Sequence, residues 1–98
     1  MNINKKADGS SLTISLEGRL DTTTSPQLEE ELNQSTEGIT LLVLDFAKLE
    51  YLSSAGLRVI LKAQKIMNRQ GEMIIRNVNE MIMDVFEITG FTDILTIE

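Results

Sequence analysis

Ile39–Leu44 most constrains the fold, because five of its six residues are apolar. The run is too continuous for a strand with one wet face and too short for an isolated amphipathic helix. It predicts a central strand covered on both faces. The flanking sequence must then supply its neighbours.

Upstream, Leu12, Ile14 and Leu16 alternate with Thr13, Ser15 and Glu17, the period of two of a half-buried strand. Asp8-Gly9-Ser10 just before it is a turn signal, so Ile3–Ala7 is expected as the other arm of a hairpin, with Gly18 closing the unit. Ser25-Pro26 opens a helix, serine as N-cap and proline at the first helical position, where a missing N–H costs nothing. Glu29, Glu30 and Glu31 fall near the positive end of the helix dipole, Leu28 and Leu32 form a narrow apolar stripe, and Gly38 is the expected stop.

Downstream of Asp45, Phe46–Leu52 reads as a connection into Ser53-Ser54-Ala55-Gly56. Leu57, Ile60, Leu61 and Met67, with Val59, Ala63 and Ile66, then recur at helical spacing and predict a helix with a broad apolar face. Gln70-Gly71 ends it, and Met73-Ile74-Ile75 reads as a strand. Asn79 is the expected N-cap of a third helix that turns Ile82, Val85 and Phe86 to the core. Gly90 is its C-cap, Phe91 folds back, and Ile94–Ile97 gives a last short strand. Strands alternating with helices imply an α/β fold: one domain over residues 1–98, a mixed, mostly parallel sheet with an N-terminal hairpin, and three main helices.

Composition narrows the function. A chain of 98 residues with 42% apolar content has enough for one core and no more. With no Cys and no His, it has no disulfides, no metal site built on thiolate or imidazole, and no histidine base. An enzyme would have to rest on carboxylates, Lys, Ser or Tyr51, and neither a P-loop nor a Gly-x-Ser-x-Gly elbow is present. The expectation is a binding protein without metal or cofactor. The net charge of −6 disfavours attraction to nucleic acid or anionic lipid. Neither an apolar leader nor a membrane span is legible, so a cytoplasmic protein is expected.

Within this scaffold, Leu52-Ser53-Ser54-Ala55-Gly56-Leu57 is the most informative stretch. Two serines start a helix at the carboxyl end of a buried strand, where open α/β sheets place their sites. A serine there caps the helix; it can also accept phosphate, since free N–H groups and the dipole favour an anion. Preceded by the apolar strand and Asp45, this stretch resembles the signature of STAS domains, in particular the anti-sigma-factor antagonists. Gly18-Arg19-Leu20-Asp21 resembles their second shared stretch, and the order of elements agrees across nearly the whole chain.

The resemblance implies that the serine two positions before the motif glycine Gly56, here Ser54, is phosphorylated by an anti-sigma factor that is itself a serine kinase. It implies that the unmodified antagonist binds that kinase and frees a sigma factor, while a PP2C-type phosphatase regenerates it. Asp21 matches a family position close to the phosphorylated serine that contributes to partner contact. One common form of the motif has Asp immediately before the acceptor; Ser53 stands there in this chain and is the second candidate acceptor. A STAS-like accessory subunit of a transporter ATPase, with no phosphate cycle, is the alternative.

Arg58, Lys62, Lys65 and Arg69 follow Ser54 within an arc of roughly 80° on one helix face. Such a stripe is either a solvated face or a docking surface for an acidic partner. Arg58, Lys62 and Lys65 join Asp21, Ser53, Ser54 and Gly56 as candidate partner-binding residues. Met81, Met83 and Ile88 lie partly off the core face of the third helix, either as scattered exposed residues or as a small interaction patch.

Overall fold

The computed structural model describes residues 1–98, with strands β1 (Asn2–Asp8), β2 (Ser11–Leu20), β3 (Leu41–Leu52) and β4 (Glu72–Arg76) and helices α1 (Ser25–Ser35), α2 (Ser54–Asn68) and α3 (Glu80–Thr89). The sheet order is β1-β2-β3-β4. β1 runs antiparallel to β2, as a tight turn with Gly9 at φ +61° allows, and the other pairings are parallel. The expected mixed sheet with its hairpin and three helices is therefore present. α1 and α2 are the crossovers that parallel pairing demands.

Leu12 and Ile14 of β2 stand beside Leu42 and Leu44 of β3, which in turn stand beside Met73 and Ile75 of β4. On this face they meet Leu28 and Leu32 of α1, Leu57, Ile60, Ala63 and Met67 of α2, and Ile82 and Phe86 of α3 in one buried cluster. The rings of Phe46 and Phe86 lie 6.5 Å apart, tilted, and tie α3 to β3. Removing apolar surface of this kind from water contributes roughly 25 cal/mol per Å².

Three expectations change. β3 is covered on one face only: Val43 is buried but stands outside the common cluster, and its lateral neighbours Thr13 and Ile74 are half-buried. All three helices pack on the other face, so Leu41, Val43 and Ile74 shield one another on a bare sheet surface.

Phe46–Leu52 is not a connection but the second half of β3. It pairs with Glu17–Leu20 of β2, in which Gly18 sits at φ +104° beside a register shift and does not end the strand. The irregular pairing brings Phe46, Leu49 and Leu52 inward every third residue, a spacing that hides a strand from a search for period two.

Finally, Ile94–Ile97 forms no strand. A 3-10 turn at Phe91–Asp93 uses up the approach, Leu95 drops into the core, and only a single bridge joins Ile97 to Ile75.

The expected capping chemistry holds at both ends of α3 and fails at α1. Asn79 Oδ1 accepts from the Ile82 N–H at 2.8 Å, and Gly90 ends α3 in the left-handed conformation. Ser25 is the first residue of α1 and not its cap, which is Thr24, and the Ser25 hydroxyl donates to the Asp21 carbonyl. The C-cap of α1 is Thr36, so Gly38 lies in the turn beyond the helix.

Candidate site at the carboxyl end of the sheet

The two serines have different jobs. Ser53 is extended, its N–H donates to the Leu20 carbonyl at 2.9 Å, and its hydroxyl accepts from the Gly56 N–H at 3.3 Å. That is an N-cap tied to the end of β2. Ser54, the first residue of α2, is exposed and its hydroxyl has no hydrogen-bond partner within the protein. Its place in the first turn puts it beside N–H groups that have no intrahelical acceptor.

Gly56 lies beneath this turn and is buried. A Cβ here would stand 2.7 Å from Leu52 Cδ1, 2.8 Å from Leu20 Cγ and 3.0 Å from the Leu20 carbonyl oxygen. Only glycine lets α2 start this close to the ends of β2 and β3. Gly56 thus positions Ser54 and offers no surface of its own.

Asp21, just past β2, organises the β2–α1 turn. Its Oδ1 accepts from the N–H groups of Thr23 at 3.0 Å and Thr24 at 3.1 Å, and its own N–H donates to Thr24 Oγ1 at 2.9 Å. The backbone bond from Thr24 does most to hold its carboxyl below the usual range; desolvation opposes it, and the Thr24 hydroxyl, the bond from Thr23 and the Arg19 guanidinium tip the balance downward. A carboxylate depressed in this way stabilises the turn above its unfolded pKa and stops doing so as pH falls through the lower folded value. The amide resonances of Thr23 and Thr24 are therefore expected to shift together on acidification, with a midpoint below that of a free aspartate. In Asp21→Asn that transition should vanish; an unchanged titration would separate Asp21 from the turn.

Arg19 also stacks over the Tyr51 ring, 4.1 Å from its centroid, and its Nε lies 3.7 Å from Asp21 Oδ2. No motif or spacing marks this neighbourhood, which exists because β2 and β3 pair Arg19 with Tyr51.

Arg58, Lys62, Lys65 and Arg69 are all exposed along α2, as their spacing predicts. Lys62, however, is paired with Glu29 of α1. This bridge crosses a groove of about 350 Å³ between the two helix starts, which Thr22, Ser25, Ala55 and Arg58 also line. Arg58 and Lys65 make no ion pair. The Ser53 N–H to Leu20 carbonyl bond joins the end of β2, followed by Asp21, to the start of α2, so Ser54, Asp21 and Arg58 stand at one end of the molecule, whereas Lys65 and Arg69 lie farther along the helix.

The STAS domain family model matches residues 2–98. The chain is 39% identical over 94 residues to BtrV of Bordetella bronchiseptica, covering 94% of this chain and 80% of that protein. It is 35% identical over 97 residues to the anti-sigma-B factor antagonist of Listeria monocytogenes, covering 96% and 84%. A crystal structure of an anti-sigma factor antagonist from Mycobacterium paratuberculosis superposes with a TM-score of 0.88 at 18% identity, covering 98% of this chain and 83% of that one. No helix is long and apolar enough to cross a membrane. With the serine pair, the buried glycine and the Asp21 turn in this arrangement, the chain belongs to the STAS domain family.

Proposed function

We propose that this protein is an anti-sigma-factor antagonist switched by phosphorylation of Ser54. The observation that carries the proposal is the division of labour at the start of α2: Ser53 is committed to capping, while the Ser54 hydroxyl is exposed and unbonded. In the unmodified state, the surface around Ser54, Arg58 and the Asp21 turn binds an anti-sigma factor that is also a serine kinase, and a sigma factor is released. The kinase transfers the γ-phosphoryl group of ATP to Ser54 Oγ; the hydroxyl proton leaves and ADP is the other product. A PP2C-type phosphatase hydrolyses the phosphoserine and resets the switch. The protein supplies no catalytic group of its own.

The test is incubation with the cognate kinase and ATP, with the site mapped by mass spectrometry. Wild type and Ser53→Ala are expected to take up one phosphate at Ser54, and Ser54→Ala none. Stoichiometric labelling of Ser54→Ala would sink the proposal.

The basic stripe contributes to docking through Arg58, one turn from Ser54, and Lys65, farther along α2, neither of which has an intramolecular ion-pair partner. Rim charges act chiefly on the association rate. Arg58→Glu with Lys65→Glu is expected to slow association about tenfold at low salt and to flatten its salt dependence. Lys62→Glu is the poorer probe, because it would also set a carboxylate against Glu29. An unchanged association rate for the double variant would return the stripe to a solvated face.

A further inference from the structure

The negative charge of this protein is concentrated at one end of the chain. Residues 1–76 carry nine basic and ten acidic side chains, whereas residues 77–98 carry five acidic side chains and no basic one. Nearly all of the net charge of −6 therefore belongs to α3 and the segment after it. Of these five, only Glu98 has an ion-pair partner, Arg76. Glu80, Asp84, Glu87 and Asp93 have none.

These carboxylates share the outer face of α3 with large apolar side chains. Met81, Asp84 and Ile88 fall on one ridge, at steps of three and four residues, and Glu80 and Glu87 run beside it. Met81 is 55% exposed and Ile88 86%, and Ile94 just beyond the helix is 49% exposed. Glu87 stands in the last turn, where the helix dipole is negative and no cation compensates it. Within the chain the arrangement costs stability twice: like charges are crowded, and apolar surface is left in water.

Both costs disappear against one kind of surface. We propose that the outer face of α3, with Ile94, is a second docking surface, and that its occupant is a cationic amphipathic segment of a partner protein. Leu-type side chains of that segment cover Met81, Ile88 and Ile94, while its Lys or Arg side chains meet Glu80, Asp84 and Glu87. The charge complementarity excludes an anionic membrane and any acidic partner. This surface lies on a different helix from Ser54, and the proposal does not depend on the phosphate switch.

The test uses the whole unphosphorylated chain, isotopically labelled for NMR, and three helical peptides of equal length as probes: Leu/Lys with one apolar face, Leu/Glu with the same face, and a Lys/Ser peptide with the charge but no apolar face. The Leu/Lys peptide is expected to shift the amides of residues 80–94 saturably, and the other two to bind at least tenfold more weakly. Ile88→Asp is expected to weaken Leu/Lys binding at least tenfold, and so is Asp84→Lys with Glu87→Lys; these exposed positions leave the fold intact, as the unshifted core amides would report. Shifts spread over Glu29–Glu31 and Glu50 as strongly as over α3 would overturn the proposal, as would unaltered affinity in Ile88→Asp. Concentration-dependent shifts of residues 80–94 without any peptide would overturn it in favour of self-association.

Discussion

Ser54→Asp is expected to bind the cognate anti-sigma factor about a hundredfold more weakly than wild type while melting within a few degrees of it. The fold tolerates the charge because Ser54 is exposed at the first position of α2, where an anion is favoured by the dipole and by Arg58 one turn along. The proposed complex is expected not to tolerate it. A carboxylate in the middle of a docking surface must lose water and either meets like charge on the partner or draws Arg58 away from it. A penalty of about 3 kcal/mol corresponds to roughly a hundredfold in affinity, and phosphoserine, with a charge of about −1.5 to −2, exceeds that of aspartate.

Ser54→Ala should bind like wild type, since its hydroxyl bonds to nothing within the protein. Ser53→Ala behaves differently: losing the cap costs about 1 kcal/mol of stability and leaves the acceptor in place. Calorimetric titration of the four proteins against the kinase, alongside thermal melts, separates these effects. Wild-type affinity in Ser54→Asp would mean that the serine lies outside the interface.

The largest effect on stability is expected from Gly71→Ala. Gly71 lies in the turn between α2 and β4, and a Cβ there would stand 1.9 Å from the Thr40 carbonyl oxygen and 2.6 Å from its carbonyl carbon. No rotamer relieves that contact, because the obstacle is backbone. The turn must move off the start of β3, which strains the Glu72 N–H to Thr40 carbonyl bond of 2.9 Å and the β3–β4 register that it begins. Overpacking of this kind costs about 3 kcal/mol, on the order of a 15 °C fall in Tm for a domain of this size.

Gly56→Ala is expected to cost less. Only one of its three nearest contacts is backbone, the Leu20 carbonyl at 3.0 Å; Leu52 Cδ1 is the end of a side chain that can rotate, and Leu20 Cγ can shift with its side chain. Its signature is a displaced α2 start and weaker kinase binding at a modest loss of stability. A Gly71→Ala variant that melts like wild type, or one less destabilised than Gly56→Ala, would contradict this ranking.

The local chemistry of this protein was largely legible in its sequence. Apolar period and local turn signals mark α1, α2, α3, the hairpin and β4, and capping residues mark the start of α3, because each signal acts within a few residues of chain. The serine pair at the start of α2 and the basic stripe along it were legible for the same reason. What escaped required partners distant in sequence. The second half of β3 exists because the irregular pairing with β2 gives Phe46, Leu49 and Leu52 a core to face. The bare sheet face was hidden because residues such as Val43 can be buried by lateral neighbours without a covering helix.

Tertiary structure alone also assigned the two serines. Ser53 became the cap because its N–H is held by Leu20 across the strand ends, and that left Ser54 free. It likewise placed Glu29 against Lys62 and Arg19 over Tyr51. A sequence specifies which side chains can cap, pair or stack; which of them do so is decided when packing brings residues thirty positions apart into contact.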